Sequence, residues 1–401
     1  MSSVSVCFTN FGPYHLARLR ALAARLAARG DRLIAYEVAG TERTYPWSRS
    51  RRDEAFEWVT LFPDRILETI EPDACRQAMV DALEYDWPDV LGIVGYARPE
   101  SMAAACWAAQ RRRAAILLSE SQEIDRPRVW WKEMIKRRRV RLFDAAVVGG
   151  PAHRDYLIRL GMPPGCIAMG YNAVDNAYFA EEARRWRDEP DGRRGLPRRP
   201  YFLSVCRFVP DKNLERLVEA FARYRRTLAG DRPWDLVLCG DGPGRDEVEA
   251  AVAASGIAQD VHRPGFLQVD ELPRWYAHAG AFVLSSLHEP WGLVANEAAA
   301  SGLPLVISRR AGCASTLVPD PPGTTGISFD PLDVNELAGA LGAIASSTIE
   351  TLAAMGRRAA EVVSCWGPER FADGVVEAVE FAGAHRRKRR GASILVAART
   401  R

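Results

Sequence analysis

A chain of 401 residues, 48% hydrophobic and 26% charged, has the make-up of a folded globule. That excludes a fibrous or disordered chain, and the length argues for two domains rather than one core. A formal net charge of +3 gives a nucleic-acid partner no support.

The N-terminus, MSSVSVCFTNF, lacks the basic segment and long apolar run of a leader, and no window reaches the apolar length of a membrane span. The expectation is a cytoplasmic protein. Short apolar runs then alternate with helix-period segments: VSVCF with YHLARLRALAARLAARG, VLGIV with PESMAAACWAAQRRR, AAILLS with a basic amphipathic stretch, and AAVVGG with PAHRDYLIRLG. Continuous rather than alternating apolar strands point to a parallel α/β sheet covered on both faces. In the basic stretch, RPRVWWKEMIKRRRVRLF, the residues Trp131, Met134, Ile135 and Leu142 share helical spacing. The expectation favours a helix packed on the first sheet with a solvated basic face over a membrane-surface helix.

From Phe179 to Pro200 the pattern gives way to charges, Gly and Pro, the composition of a connector. The βα rhythm restarts with YFLSVC, DLVLCG, AFVLSS and LPLVIS and their intervening helices, a second doubly wound domain. WGPERFADGVVEAVEFAGA predicts a helix, and HRRKRRGASILVAARTR a solvated basic tail. Ligands of such sheets collect beyond the carboxyl ends of the strands.

Three turns there carry candidate chemistry. After YFLSVC come Arg207 and, five residues on, Lys212 at a helix start. Two cations there oppose the helix dipole at a cost of about 0.3–1 kcal/mol each, a penalty that an anion such as a diphosphate reverses. After AFVLSS, the stretch LHEPWGLVANEAAASGLPLV places Gly292 before a helix whose first residues, Leu293 and Val294, offer amides to phosphate. Glu289 and Glu297 flank that turn, and carboxylates suit sugar and ribose hydroxyls. Gly240, in the turn Gly240-Asp241-Gly242-Pro243, is a donor contact or simply a βα turn. After the first strand, Gly12 allows close approach to phosphates, and Tyr14 and His15 follow it as acceptor-side candidates, with a plain helix start as the alternative. His153 and His288 are read as packed or exposed histidines. The eight cysteines form no C-x-x-C pair and no zinc spacing, so no metal site is expected, and Cys7, Cys206 and Cys239 read as buried thiols.

Together SVCRFVPDKNLERLVEAF, GDGP and HEPWGLVANEAAASGLPLV closely resemble the donor half of family 4 retaining glycosyltransferases, strongly over about residues 200 to 310. The resemblance implies a GT-B fold, two Rossmann-like doubly wound domains facing a central cleft. It implies an acceptor-side domain over 1–185, a linker over 186–199 and a nucleotide-sugar domain over 200–365. A helix over 366–384 then crosses back to the first domain, with a basic tail over 385–401. Arg207 and Lys212 would hold the leaving diphosphate, Glu289 the donor sugar and Glu297 the ribose. Many members carry a histidine after the strand matching AAILLS. This chain has Glu120 and Ser121 there, and Glu120 is taken as a replacement acceptor contact.

The expected activity is sugar transfer with retention from a nucleotide diphosphate donor, a UDP-sugar ahead of a GDP-sugar, to an acceptor hydroxyl in polysaccharide, glycolipid or secondary-metabolite synthesis. No cofactor or metal is expected, because the two cations would neutralise the diphosphate. The expected partners are donor and acceptor, with a peripheral contact at the inner membrane face as an extension. The rival readings are a nucleotide-sugar epimerase and an idle sugar-nucleotide-binding subunit, with a phosphorylase behind both.

Overall fold

The structure, a computed structural model, describes residues 2–43, 53–227, 233–319, 321 and 323–399, the last fifteen of these as backbone only. The chain divides into two compact units, residues 1–173 with 368–401, and residues 174–367.

In chain order the first unit contains β1 (Ser3–Phe8), α1 (Pro13–Ala27), β2 (Arg32–Thr41), β3 (Glu57–Ile66), α2 (Pro72–Asp86), β4 (Val90–Val94), α3 (Pro99–Gln110), β5 (Ala114–Ser119), α4 (Trp130–Val140), β6 (Ala145–Val148), α5 (Pro151–Arg159) and β7 (Ile167–Met169). The second contains α6 (Asn176–Asp188), β8 (Tyr201–Val205), α7 (Leu214–Thr227), β9 (Asp235–Cys239), α8 (Arg245–Ala254), β10 (Val261–Gly265), α9 (Leu272–His278), β11 (Ala281–Leu284), α10 (Leu293–Ala300), β12 (Leu305–Ser308), α11 (Ala314–Leu317), β13 (Gly326–Phe329), α12 (Val334–Ala345) and α13 (Ile349–Ser364). The final helix, α14 (Pro368–Arg399), rejoins the first unit.

Each unit is a parallel sheet, ordered β3-β2-β1-β4-β5-β6-β7 in the first and β10-β9-β8-β11-β12-β13 in the second. Central strands such as β1, β5, β9 and β11 are buried along their whole length, as sheets covered by helices on both faces require. α14 lies against α1 and the ends of β5 to β7, so close that a Cβ on Gly374 would stand 2.6 Å from the carbonyl oxygen of Met169. Among the described residues no single helix is long and apolar enough to cross a membrane.

Three expectations are corrected. The units divide between Ala173 and Val174, not across 186–199. The stretch is tied into the second unit: Arg187 Nε donates to the carbonyl of Ala277 at 2.9 Å, the carbonyl of Gly192 accepts from Arg274 Nε at 2.8 Å, and Arg199 pairs with the buried Asp235 at 2.8 Å. The chain beyond 384 is not a tail separate from the preceding helix, since α14 runs on to Arg399. Finally, α4 does not lay its apolar stripe on the first sheet: only Val140 of that helix is buried, and Trp131, Met134 and Ile135 are exposed.

Candidate active site

In each sheet the direction of strand addition reverses once, between β1 and β4 in the first unit and between β8 and β11 in the second. Connections leaving two such strands diverge to opposite faces and leave a crevice at their carboxyl ends. The residues singled out in the second unit lie largely at its crevice.

From β8 the chain passes Cys206 and Arg207 into a short turn, Pro210–Lys212, and then Asn213, which holds a left-handed φ of 58° before α7 begins. Asn tolerates that region better than other non-glycine residues, and here its amide is also used: Nδ2 donates to the carbonyls of Ser285 at 3.2 Å and Pro331 at 2.9 Å. Ser285 Oγ donates to the carbonyl of Lys212 at 2.8 Å, so the loops after β8 and β11 are laced together. The Lys212 ammonium then meets Glu289 Oε2, to which Ser286 Oγ also donates at 3.2 Å. A cation and a carboxylate more than seventy positions apart in sequence thus converge above the strand switch. Both are mostly shielded from water, which strengthens their interaction over a surface pair.

Arg207, half-buried, is bracketed by the Gly240 turn. Cys206 N donates to the carbonyl of Cys239 at 3.0 Å, Phe208 N to that of Asp241 at 2.9 Å, and Gly244 N to that of Phe208 at 2.8 Å. A Cβ on Gly240, at φ 137°, would stand 1.8 Å from the carbonyl oxygen of Cys206. The glycine is required by contact between two backbones. Burial pushes the Cys206 thiol up to about 12, with Lys212 pulling weakly the other way, so this cysteine is a protonated packing group.

The Glu289 turn is fixed from below, since Gly312 N donates to the carbonyl of Glu289 at 3.0 Å and Cys313 N to that of Trp291 at 3.1 Å. Gly292, at φ 101°, starts α10, and a Cβ there would meet Leu284 Cδ2 at 2.8 Å. Leu293 and Val294 form the half-buried first turn of that helix. Glu297, in its second turn, is fully buried and accepts from Tyr276 Oη of α9 at 2.7 Å. Tyr276 and Asn213 had no sequence signal beyond a hydroxyl in an apolar helix and an Asn after a Lys.

In the first unit the candidates lie at the turns after β1 and β5. Gly12 caps α1, and its N–H donates to His15 Nδ1 at 3.1 Å. The same Gly-Pro-x-His arrangement recurs after β6, where Gly150 N donates to His153 Nδ1 at 3.1 Å. The turn before α1 is held by Glu37, a buried carboxylate that accepts from Phe11 N at 2.8 Å, Trp58 Nε1 at 2.9 Å and Thr60 Oγ1 at 2.8 Å. Tyr14 is half-buried in the first turn of α1. Glu120 follows β5 and accepts from Asn172 Nδ2 at 2.8 Å. Gly12 and His15 therefore touch one another, and Glu120 belongs to a separate pair.

Residues 188–362, nearly the whole second unit, match the family described as Glycosyl transferases group 1. An alpha-D-kanosaminyltransferase of Streptomyces kanamyceticus is 34% identical over 174 residues, 43% of each chain. A glycogen synthase of Mycobacterium tuberculosis is 32% identical over 222 residues, 55% of this chain and 49% of the relative. The chain thus spans about half the length of the curated relatives it matches. Sucrose-phosphate synthase from Thermosynechococcus elongatus superposes with a TM-score of 0.69 at 19% identity, covering 98% of this chain and 100% of that one, a likeness of fold of the two-Rossmann GT-B type. The second unit is thus similar to the glycosyl transferases group 1 family over residues 188–362, and the chain as a whole has the two-Rossmann GT-B fold.

Proposed function

We propose that the protein transfers a sugar from a nucleoside diphosphate donor to an acceptor hydroxyl, with retention of anomeric configuration and without a metal ion. The observation that carries this reading is the convergence of Lys212 and Glu289 above the β8/β11 switch, beside the start of α10. A family match over the same residues and relatives named as sugar transferases and synthases support it.

In this reading Lys212 and Arg207 face the diphosphate, and the first amides of α10 add their dipoles. Glu289 meets the hydroxyls of the donor sugar, and Glu297, oriented by Tyr276, those of the ribose. The bond from the anomeric carbon to the phosphate oxygen breaks as the acceptor oxygen bonds to that carbon on the same face. The acceptor proton passes to the departing phosphate oxygen. Charge builds on the leaving group, so fixed cations lower the barrier and no protein nucleophile is needed. A UDP-sugar is the first donor to try, with GDP-sugars second, and a membrane-borne acceptor belongs to the same reading.

The Arg207→Ala/Lys212→Ala variant tests it. Sugar transfer should fall at least about a thousandfold, since each lost preorganised group costs about a hundredfold or more, while circular dichroism still reports the folded chain and the melting temperature drops because Glu289 loses its partner. Turnover near that of the parent would sink the assignment. Full activity in excess chelator is expected, and donor consumed without acceptor would point to an epimerase.

A further inference from the structure

α4 is turned inside out. On an ordinary globular helix the polar side meets water and the apolar side meets the core. Here the side facing the protein is polar. Tyr156 Oη of α5 donates to Glu133 at 2.9 Å, and accepts from Arg128 and Lys136 at 2.8 Å each. Arg139 donates to the carbonyl of Tyr96 at 3.0 Å, and only Val140 contributes an apolar anchor. The outward side holds Trp130, Trp131, Met134 and Ile135, whose spacing of one, four and five residues puts them on one face. Trp130 is 73% exposed, and Ile124, just upstream, adds to the patch. Of the eleven large apolar side chains exposed among the described residues, five thus fall within twelve positions. A cluster of that kind marks an interaction surface, where scattered ones need no explanation.

Charge indicates what covers it. Within residues 123–141, Arg126, Lys132, Arg137, Arg138 and Arg141 are exposed, against one exposed acid, Glu123, which already pairs with Arg159. Glu133, the acid within α4, is turned inward. Tryptophan beside apolar and cationic side chains suits the boundary between headgroups and acyl chains, where the ring has an apolar body and a polar N–H. We propose that the outer face of α4 docks on an anionic lipid bilayer, with Trp130 and Trp131 seated at the acyl boundary and the surrounding cations on the headgroups. The proposal stands apart from the sugar-transfer reading, and its test uses no sugar.

Sedimentation of the full chain with vesicles decides it, using phosphatidylcholine alone and with about one-third phosphatidylglycerol. The parent should partition about tenfold or more in favour of the anionic vesicles, and Trp130→Ser/Trp131→Ser should lose about tenfold. Lys132→Glu/Arg137→Glu should lose at least as much, while Leu332→Ser/Ile349→Ser, exposed apolar sites of the other unit, should change nothing. All the replaced side chains are exposed, so the melting temperatures should hold, and the charge variant carries the test should the tryptophan variant not fold. Equal binding by parent and variants, indifference to anionic lipid, or no vesicle binding by the parent would overturn the proposal. So would a dimer of the parent that the tryptophan variant abolishes, which would assign the face to a second copy.

Discussion

The two units use the same architecture and treat the loops at their strand switches differently. In the second, the loop after β8 and the loop after β11 reach each other, and the contact is a charged pair, Lys212 with Glu289. In the first, the turn after β1 closes on itself, Gly12 N to His15 Nδ1, over the buried Glu37. The recurrence of that closure at Gly150 and His153 shows that it is a way of starting a helix. A histidine beside a glycine at a strand end is therefore weaker grounds for a chemical role than a cation and a carboxylate that converge from distant positions.

The comparison breaks most readily at Gly240. If that turn exists to seat the Arg207 loop, Gly240→Ala must force Cys206 aside and should cost roughly 3 kcal/mol, combining a strained backbone with a displaced one. Gly161, also at positive φ (100°) but with open space around it, is the control, and its alanine variant should lose only about 1–2 kcal/mol. Urea unfolding of both compares them directly. Equal losses would mean that the two backbones are not held together as described.

A smaller effect sharpens the first unit's side. His15→Ala removes the acceptor for Gly12 N–H and should cost about 1 kcal/mol, the usual value of a helix cap. His15→Gln, whose side chain can accept from the same N–H as capping-box residues do, should restore most of it. His153→Ala should cost more, since that ring is fully buried. Should His15→Gln keep its melting temperature yet lose sugar transfer about a hundredfold, histidine would have a chemical role beyond the cap.

How much of this was legible follows from burial. β1, β4, β5, β6, β8, β9, β11 and β12 read directly as apolar runs because each lies inside its sheet. β2 is obscured by Glu37, a charge buried in mid-strand, and β3 by Pro63 and its half-exposed side chains, which an edge strand tolerates. Arg207, Lys212, Glu289 and Gly292 were legible because strand ends at a switch are marked by turn residues. Tyr276 and Ser285 were not, since their partners are set only by packing. α4 was misread for a physical reason: an apolar stripe has the same spacing whether it faces a core or a bilayer. What decides its direction is the polar bond set around Tyr156, made by residues from two helices.

The smallest expected effect concerns the arginine-anchored turn of the second unit. Burial holds the pKa of His278, at the end of α9, below the ordinary histidine range, and the charge of Arg193 adds to this, with a backbone bond to Trp186 opposing it. The fold thus prefers the neutral ring. An unfolded chain takes up a proton near pH 6.5 while the folded one does not, so stability should fall as pH drops through about 6.5 and level off below the folded value. Melting temperatures from about pH 8 to 5 should show this as a slope that His278→Asn reduces. A slope unchanged in that variant would place the titrating group elsewhere. A slope of the opposite sign would mean that the ring gains an anionic partner in the fold, contrary to the three arginines Arg193, Arg187 and Arg274 that surround it.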